Sequence, residues 1–196
     1  MNSNRAVLTA VVVVVVLILG WLLFGRGGSD DGVDLLARFE GVQRCTPPAS
    51  PEVSCVSPDP SLFSVIDATL QNETQRAIAI APTVGTRIIW RVQVPDDGWL
   101  RVSLGMQPES WVKEGDGVKF LVGVSEGGAF DTLFEQHLHP FANEADRKWI
   151  PLTVDLSTYA GETVDLIFNT YSHLPGQPED HRNDLPLWGN PEIVVR

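Results

Sequence analysis

Cysteine and positive charge are both scarce in this chain. Its 196 residues include 2 cysteines, and 14 lysines and arginines face 25 aspartates and glutamates, for a net charge of −11. An acidic chain of this kind repels polyanions, which excludes nucleic acid as a partner. The two cysteines, Cys45 and Cys55, do not form a C-x-x-C pair, which excludes the common spacing of zinc and redox motifs.

Catalytic signatures are also missing. The sequence contains no G-x-S-x-G, no H-E-x-x-H and no P-loop. Neighbouring carboxylates such as Glu109 and Glu114 fall in turn-forming segments and resemble ordinary surface charge. We therefore predict that the protein is not an enzyme and has no catalytic residue, no cofactor and no resident metal.

One long apolar run stands out. Residues 6–25 read AVLTAVVVVVVLILGWLLFG without a charge, and twenty helical residues span about 30 Å, the thickness of a bilayer's hydrocarbon core. The run is longer than the apolar part of a cleaved leader, and no A-x-A site follows it, so we predict an uncleaved signal anchor. Arg5 and Arg26 flank the run, and the small charge bias favours an N-terminus in the cytoplasm.

The two cysteines flank a proline-rich loop, TPPASPEVS. A disulfide between Cys45 and Cys55 would persist only outside the cytosol and would contribute about 3 kcal/mol by closing this loop. Two unpaired thiols are the alternative, and we predict the bridge. The stretch DLLARFEGV at 34–42 predicts one or two helical turns, with Asp34 as a cap.

From residue 61 onward apolar and polar residues alternate, which is typical of strands with one buried face. The alternation predicts nine strands, near 87–94, 100–106, 118–124, 150–156 and 164–168, with shorter ones at 63–70, 76–81, 131–138 and 191–196. The turn at Gly161 favours a positive φ. We predict an all-β, antiparallel jelly-roll β-sandwich preceded by one N-terminal transmembrane α-helix. The predicted segments are a cytoplasmic N-terminus at 1–5, the helix at 6–25, a linker at 26–60 and an external sandwich at 61–196.

The C-terminal part resembles a known family. Four strings carry the resemblance: GDGVKFLVGV at 115–124, TLFEQHLHP at 132–140, ADRKWIPLTVDLSTYAGETVDLIFNT at 145–170 and WGNPEIV at 188–194. Together they resemble a galactose-binding-like β-sandwich that occurs as an external module of bacterial membrane proteins. The resemblance implies a sandwich at the periplasmic side of a bacterial inner membrane and is silent on activity. Relatives of the broader fold bind sugars or Ca²⁺ through loops, so the resemblance leaves Ca²⁺ open.

The same strings predict several structural roles. Trp149 and the strand from Ile150 to Leu156 are expected to fill the core. Asp155 and Ser157 are expected to bond locally where that strand ends. Gly189 and Pro191 are expected to shape the entry to the last strand.

Two polar groups are candidate sites. His137 and His139 form an H-x-H on a strand and face one side together with Glu135, so they suit a shared metal or, alternatively, a polar outer face near a strand end. The longest irregular segment, 171–187, contains the other candidates: His173, Asp180, His181, Asn183 and Asp184. The Asp and Asn oxygens suit Ca²⁺, and a solvated loop that contacts a partner is the alternative.

Tryptophan indicates a third kind of site, because aromatic faces stack on sugars. Trp90 and Trp149 belong to core patterns, which leaves Trp99, Trp111 and Trp188 for an exposed platform. Trp111 is the best of these because it lies in a polar turn, PESWVKEGDG. The alternative is that Trp111 packs over an edge of the sandwich.

Two functions follow from these observations. The first is a non-catalytic, membrane-anchored accessory subunit whose sandwich packs on other membrane-protein subunits, with an energy-transducing or photosynthetic complex as one conceivable host. The second is a membrane-tethered carbohydrate-binding module that contacts glycans of the cell envelope.

The anchor itself offers small residues for helix packing in the membrane, at Ala10 and Gly20. We expect bulky substitutions at either position to weaken assembly with a membrane partner and to leave insertion intact. Co-purification in mild detergent measures the first effect and carbonate extraction the second. An unrelated anchor that supports full assembly would show that the run is only a tether.

Overall fold

The chain divides into two units, Met1–Asp30 and Asp31–Arg196. The computed structural model describes residues 32–46, 59–83, 85–126, 129–172 and 180–196. No helix in these ranges is both long and apolar enough to cross a bilayer. The predicted anchor at 6–25, with Ala10 and Gly20, lies outside the described residues and stays a prediction.

Eleven strands are found in the described ranges. They are β1 (Val33–Asp34), β2 (Gln43–Cys45), β3 (Phe63–Leu70), β4 (Glu73–Ile80), β5 (Gly85–Gln93), β6 (Gly98–Met106), β7 (Val118–Glu126), β8 (Ala129–Leu138), β9 (Ile150–Asp155), β10 (Thr163–Tyr171) and β11 (Pro186–Val195). The helical elements of the same ranges are α1 (Glu109–Val112) and four 3-10 turns, Phe39–Gly41, Pro60–Leu62, Glu144–Asp146 and Ser157–Tyr159. All nine predicted strands occur, as β3 to β11.

The strands form two antiparallel sheets. The first has the order β3-β4-β11-β6-β9, with β1 also paired to β11, and the second has the order β2-β5-β10-β7-β8. Between β2 and β11 the chain changes sheet at each connection except the β3–β4 and β7–β8 hairpins. This is the crossing pattern of a jelly-roll sandwich, so the predicted all-β fold class is confirmed.

Aromatic rings fill the space between the sheets. Trp188 of β11 lies 4.5 Å from Phe168 and 5.0 Å from Phe120, measured between ring centroids, and Phe168 lies 4.9 Å from Trp90. All four side chains are at most 3% exposed. Trp90 Nε1 also donates to the carbonyl of Leu35, which ties the N-terminal segment to this core.

The prediction that Trp188 is available for an exposed platform is wrong, because its ring lies in this core. The last strand begins at Pro186 rather than at 191, and its register shifts between Gly189 and Glu192. This bulge breaks the period-2 pattern, so the inward-facing Trp188 did not show the alternation of a core residue. Gly189 and Pro191 therefore lie inside the strand and not at its entry.

Trp149 is buried, at 5% exposed, but not between the sheets. Its ring lies on the outer face of the first sheet, against Gly105 and Gly189, and Nε1 donates to the carbonyl of Glu73. A second apolar cluster surrounds it and includes Leu70 and Leu187. The prediction that Trp149 fills an apolar core is confirmed, but that core is the smaller cluster on the outer face, where both glycines leave room for an indole.

The segment around residue 34 forms a turn rather than a full helix. Asp34 Oδ1 accepts a hydrogen bond from Ala37 N, as expected of a cap, and a 3-10 turn follows at Phe39–Gly41. Cys45 ends β2 and is 1% exposed, and no free cysteine is found in the described ranges. Its predicted partner Cys55 lies outside them, so the pairing stays a prediction.

Two expected local features are confirmed near β9. Ser157 N donates to Asp155 Oδ1 at 2.8 Å, which lowers the pKa of the Asp155 carboxyl. Gly161 has a φ of +78°. The sequence thus predicted both the local hydrogen bond between Asp155 and Ser157 and the positive φ of Gly161.

Trp149 provides a test of the outer cluster. A methyl group at Gly105 would lie 2.5 Å from Leu70 Cδ1 and 3.0 Å from the Trp149 ring. We expect Gly105→Ala to lower the free energy of unfolding by about 1–3 kcal/mol, because overpacking moves the indole. Gly41→Ala is the matched control, since nothing lies within 4 Å of its added carbon. Urea unfolding measures both, and equal effects would contradict the packing described here.

Candidate functional site

Three connecting segments meet at one end of the sandwich. Met106 at the end of β6 pairs with Pro186 at the start of β11, and Leu138 at the end of β8 pairs with Val118 at the start of β7. The segments 107–117, 139–149 and 180–185 therefore converge. We call the pocket that they form the loop-end site; it is lined by Met106, Ser110, Lys113, Gly115, Gly117, His139, Pro140, Phe141, Asn183 and Asp184.

Two glycines allow this convergence. Gly117 has a φ of +85°, and a side chain there would collide with the carbonyl oxygen of Leu138. A side chain at Gly115 would lie 2.6 Å from the carbonyl oxygen of Arg182. Both positions therefore require glycine, which lets the segments pack backbone to backbone.

The two histidines hold the 107–117 segment. His137 Nε2 lies 2.9 Å from the carbonyl oxygen of Asp116, and His139 Nε2 lies 2.7 Å from that of Gly115. A carbonyl oxygen only accepts, so Nε2 carries the proton in both rings. Their ring centroids are 5.9 Å apart.

Glu135 does not join the two histidines, because it forms an ion pair with Lys119 at 2.7 Å. Within the described residues no three His, Cys, Asp or Glu side chains are placed to hold a metal ion. The geometry therefore gives the H-x-H pair a role in fixing a loop, which neither sequence-based alternative, a shared metal or a polar outer face, had predicted.

Asp184 is the most unusual group at the site. It is 1% exposed, and no described group donates to its Oδ2. Burial raises the pKa of its carboxyl to about 8; the nearby charges of Asp116 and Asp180 also raise it, and the Ser172 hydroxyl lowers it. Asp184 is therefore mostly protonated at neutral pH.

Asp116 shares these properties more weakly. Its Oδ1 is also buried without a donor in the described structure. Burial, followed by the charge of Asp180, raises the pKa of its carboxyl. Two carboxyl groups with an unused oxygen each thus lie next to the same pocket, and such groups are rare in folded proteins.

Several other charges and polar groups at the site are paired. Asp180 holds Arg182 in a fork, with Nη2 2.6 Å from Oδ2 and Nε 2.8 Å from Oδ1, and this contact lowers the Asp180 pKa to about 2. Asn183 has a φ of +61°, and its Nδ2 donates to the carbonyl of Glu114. Ser110 Oγ donates to the carbonyl of Asn183 at 2.5 Å. These bonds lock the 180–185 segment onto the 107–117 segment.

An exposed aromatic ring borders the pocket. Phe141 is 42% exposed and lines it together with Lys113, while the exposed Val112 precedes that lysine in the chain. The lining atoms are packed too closely to admit a water molecule between them, so a ligand would contact the rim of the pocket and the exposed Phe141 ring. The site thus combines an apolar ring face with amide, ammonium and carboxyl groups, which is a common composition of ligand sites.

Only some of the candidate residues that the sequence predicted lie at this site. Asp180 and Asp184 belong to the site, and His181 is exposed beside them. Trp111 is half-buried against the outer cluster of the first sheet, and Nε1 donates to the carbonyl of Met106. His173 lies outside the described residues. Sequence reasoning missed Phe141, although an aromatic residue in the irregular segment HPFANE was a usable signal.

A larger cleft lies elsewhere, where β11 leaves β4 and pairs with β1. Its volume is about 370 Å³, and its lining includes Asp34, Arg76, Asn190 and Glu192. Glu192 is already paired with Arg101 at 2.6 Å. The cleft lacks an aromatic side chain among its lining residues and contains no buried group without a partner, so it is the weaker candidate.

Asp184 should make stability depend on pH. Its carboxyl keeps a proton up to about pH 8 in the native state but ionises near pH 4 when unfolded, so the free energy of unfolding falls as pH rises between these values. The expected slope is at most about 1.4 kcal/mol per pH unit. The Asp184→Asn variant lacks this carboxyl, so we expect its free energy of unfolding to lose this part of the dependence on pH. Urea unfolding from pH 4 to pH 8 measures it, and identical slopes in both proteins would contradict the assignment.

The sequence of this chain has a partial match among known proteins. No family model matches the chain. An uncharacterized protein of Archaeoglobus fulgidus is 40% identical over 103 residues, which cover 52% of this chain and 25% of that protein. The chain thus spans about a quarter of the length of the curated relative that it matches.

Solved structures extend the comparison. The CBM51 domain from Clostridium perfringens GH95, solved in complex with methyl-galactose, matches with a TM-score of 0.50 and 12% identity over 84% of this chain and 100% of that chain. The CBM51-2 and INT domains of Clostridium perfringens ZmpB match with a TM-score of 0.47 and 16% identity over 67% of this chain and 25% of that chain. The likeness to the CBM51 domain shows the fold alone, a β-sandwich that is consistent with the galactose-binding-like fold that the sequence resembles.

Proposed function

We propose that the protein is a non-catalytic carbohydrate-binding module that holds glycans at its loop-end site. The observation that carries the proposal is the exposed Phe141 ring beside a pocket of fixed polar groups. A pyranose ring has an apolar face, which packs on an aromatic ring, and hydroxyl groups, which bond to polar side chains. The fold likeness to the CBM51 domain bound to methyl-galactose adds support.

The site is well suited to recognition because its walls are rigid. His137 and His139 hold the 107–117 segment through backbone carbonyls, and Ser110 and Asn183 join it to the 180–185 segment. A preorganised site loses little conformational entropy when a ligand binds. The sequence contains no G-x-S-x-G, H-E-x-x-H or P-loop signature, so the proposal assigns binding without a reaction.

The predicted anchor at 6–25 would tether this module at the outer face of a membrane. An accessory-subunit role in a membrane complex rests on that anchor alone, since none of the described residues favours a protein partner over a glycan. We therefore propose glycan binding as the function. Tethering to a membrane by residues 6–25 stays a separate prediction.

A pair of phenylalanines tests the proposal. Phe141 at the loop-end site and Phe130 on the outer face of the second sheet are similarly exposed, at 42% and 45%. The full chain, in a detergent without a sugar headgroup, is applied to a glycan array, and its hits are titrated by calorimetry. We expect Phe141→Ala to weaken binding about tenfold, or about 1.4 kcal/mol, and Phe130→Ala to have little effect.

The two variants also keep the result interpretable. Each must retain the thermal transition of the parent protein, because loss of fold would remove binding by either route. An array without hits, with and without Ca²⁺, would refute glycan binding. A greater loss in Phe130→Ala would move the site to the second sheet.

A further inference from the structure

We infer that Asn72 is an N-glycosylation site, which carries an oligosaccharide covalently linked to its side-chain nitrogen. The site lies at the tip of the β3–β4 hairpin, and none of its residues belongs to the loop-end site. Three observations support it: the sequence around Asn72, the exposure of the amide and the way in which the hairpin tip is held. The site also requires that the sandwich lie outside the cytosol, as the predicted anchor at 6–25 implies.

The sequence around Asn72 matches the acceptor pattern of N-glycosylation, which is N-x-S/T without proline at the middle position. Residues 72–74 read Asn-Glu-Thr. None of the other asparagines in the chain is followed by Ser or Thr two residues later. Asn143 offers a natural comparison, because it too is followed by glutamate but has Ala145 where the pattern needs a hydroxyl. Two similar segments thus differ at the position that completes the pattern.

The Asn72 side chain is accessible in the folded protein. Leu70 pairs with Glu73, so Gln71 and Asn72 form a two-residue turn between β3 and β4. Gln71 has a φ of +54°, and both turn residues are exposed. The Asn72 amide makes no hydrogen bond within the described part of the chain. Exposed loop tips tolerate added groups best, and an N-linked oligosaccharide is a bulky surface group.

The hairpin tip is held from its apolar side. Leu70 is 1% exposed and belongs to the outer cluster of the first sheet. The carbonyl oxygen of Glu73 accepts a hydrogen bond from Trp149 Nε1 at 3.1 Å. The Thr69 and Thr74 hydroxyls lie 2.8 Å apart and add a hydrogen bond across the two strands. Because the turn itself is exposed, an oligosaccharide attached there extends into solvent and displaces none of these contacts.

The linkage reaction needs a glycosyl donor that the protein does not supply. By chemical class the donor is an oligosaccharide joined through its C1 carbon to the phosphate of a polyprenyl lipid, and a membrane-bound transferase uses it outside the cytosol. The Nδ2 atom of Asn72 forms a bond to C1 while the bond between C1 and the phosphate oxygen breaks. The amide gives up a proton to a base of the transferase, and the lipid phosphate leaves with the electron pair. No group is oxidised or reduced, and the side chain remains an amide.

Mass spectrometry of the full chain, purified in detergent from the membranes of its native host, tests the inference. Peptides that contain Asn72 should be heavier by the mass of an oligosaccharide, and fragmentation should locate it on that residue. Peptides that contain Asn143 should have the unmodified mass. Among variants expressed in the same host, Asn72→Gln and Thr74→Ala should lose the oligosaccharide completely. Thr74→Ser should keep it, because serine retains the hydroxyl of the pattern.

The Asn143 segment provides a matched control. Ala145→Thr completes the same pattern, Asn-Glu-Thr, at a second exposed asparagine and should add an oligosaccharide there. If Asn143 is modified in this variant while Asn72 is not, the inference is overturned, because the transferase then reaches the chain and passes over the hairpin. Modification of neither asparagine would overturn it as well, since the sandwich would not meet the transferase. An oligosaccharide that persists in Thr74→Ala would reveal another kind of attachment and also contradict the assignment. Glycan binding through Phe141 is measured separately on the array, so each result stands on its own.

Discussion

The contacts among four aromatic rings hold the two sheets together, and the geometry of the loop-end site depends on them. Trp188 projects from the first sheet and meets Phe120 and Phe168 of the second at centroid distances of 5.0 and 4.5 Å, while Trp90 adjoins Phe168. Large buried rings contribute most of the area removed from water in such a core. Because β11 is anchored by Trp188, the segment just before it is brought against the ends of β6 and β8.

The close packing of the loop-end site lowers the stability of the fold in one respect, because it buries carboxyl groups. Glycines at 115 and 117 let backbone segments meet, and the histidines lie within hydrogen-bond distance of the carbonyl oxygens of Gly115 and Asp116. The same close packing removes Asp184 and Asp116 from water and leaves one oxygen of each without a donor in the described structure. A water molecule or a ligand that reaches such an oxygen can supply the missing partner.

The fold and the site carry different kinds of information. A sandwich of this type is shared with a CBM51 domain at only 12% identity, so the fold survives almost complete replacement of the sequence. Its core needs only apolar side chains of suitable size on inward positions. The fold alone does not give a function, so the proposal of glycan binding rests on the residues of the loop ends, above all on the exposed Phe141 ring.

The sequence by itself determined the strands, since period-2 alternation and turn residues are local signals, and all nine predicted strands occur. It did not reveal β1 and β2, which are too short to alternate, or the inward position of Trp188, because a bulge breaks the pattern. Only the tertiary structure decided which loop residues meet: Asp116, His139, Phe141 and Asp184 come from three segments joined by pairing between distant strands. Burial, which raises the pKa of Asp184, is likewise a property of the packed loops, and no spacing along the chain encodes it.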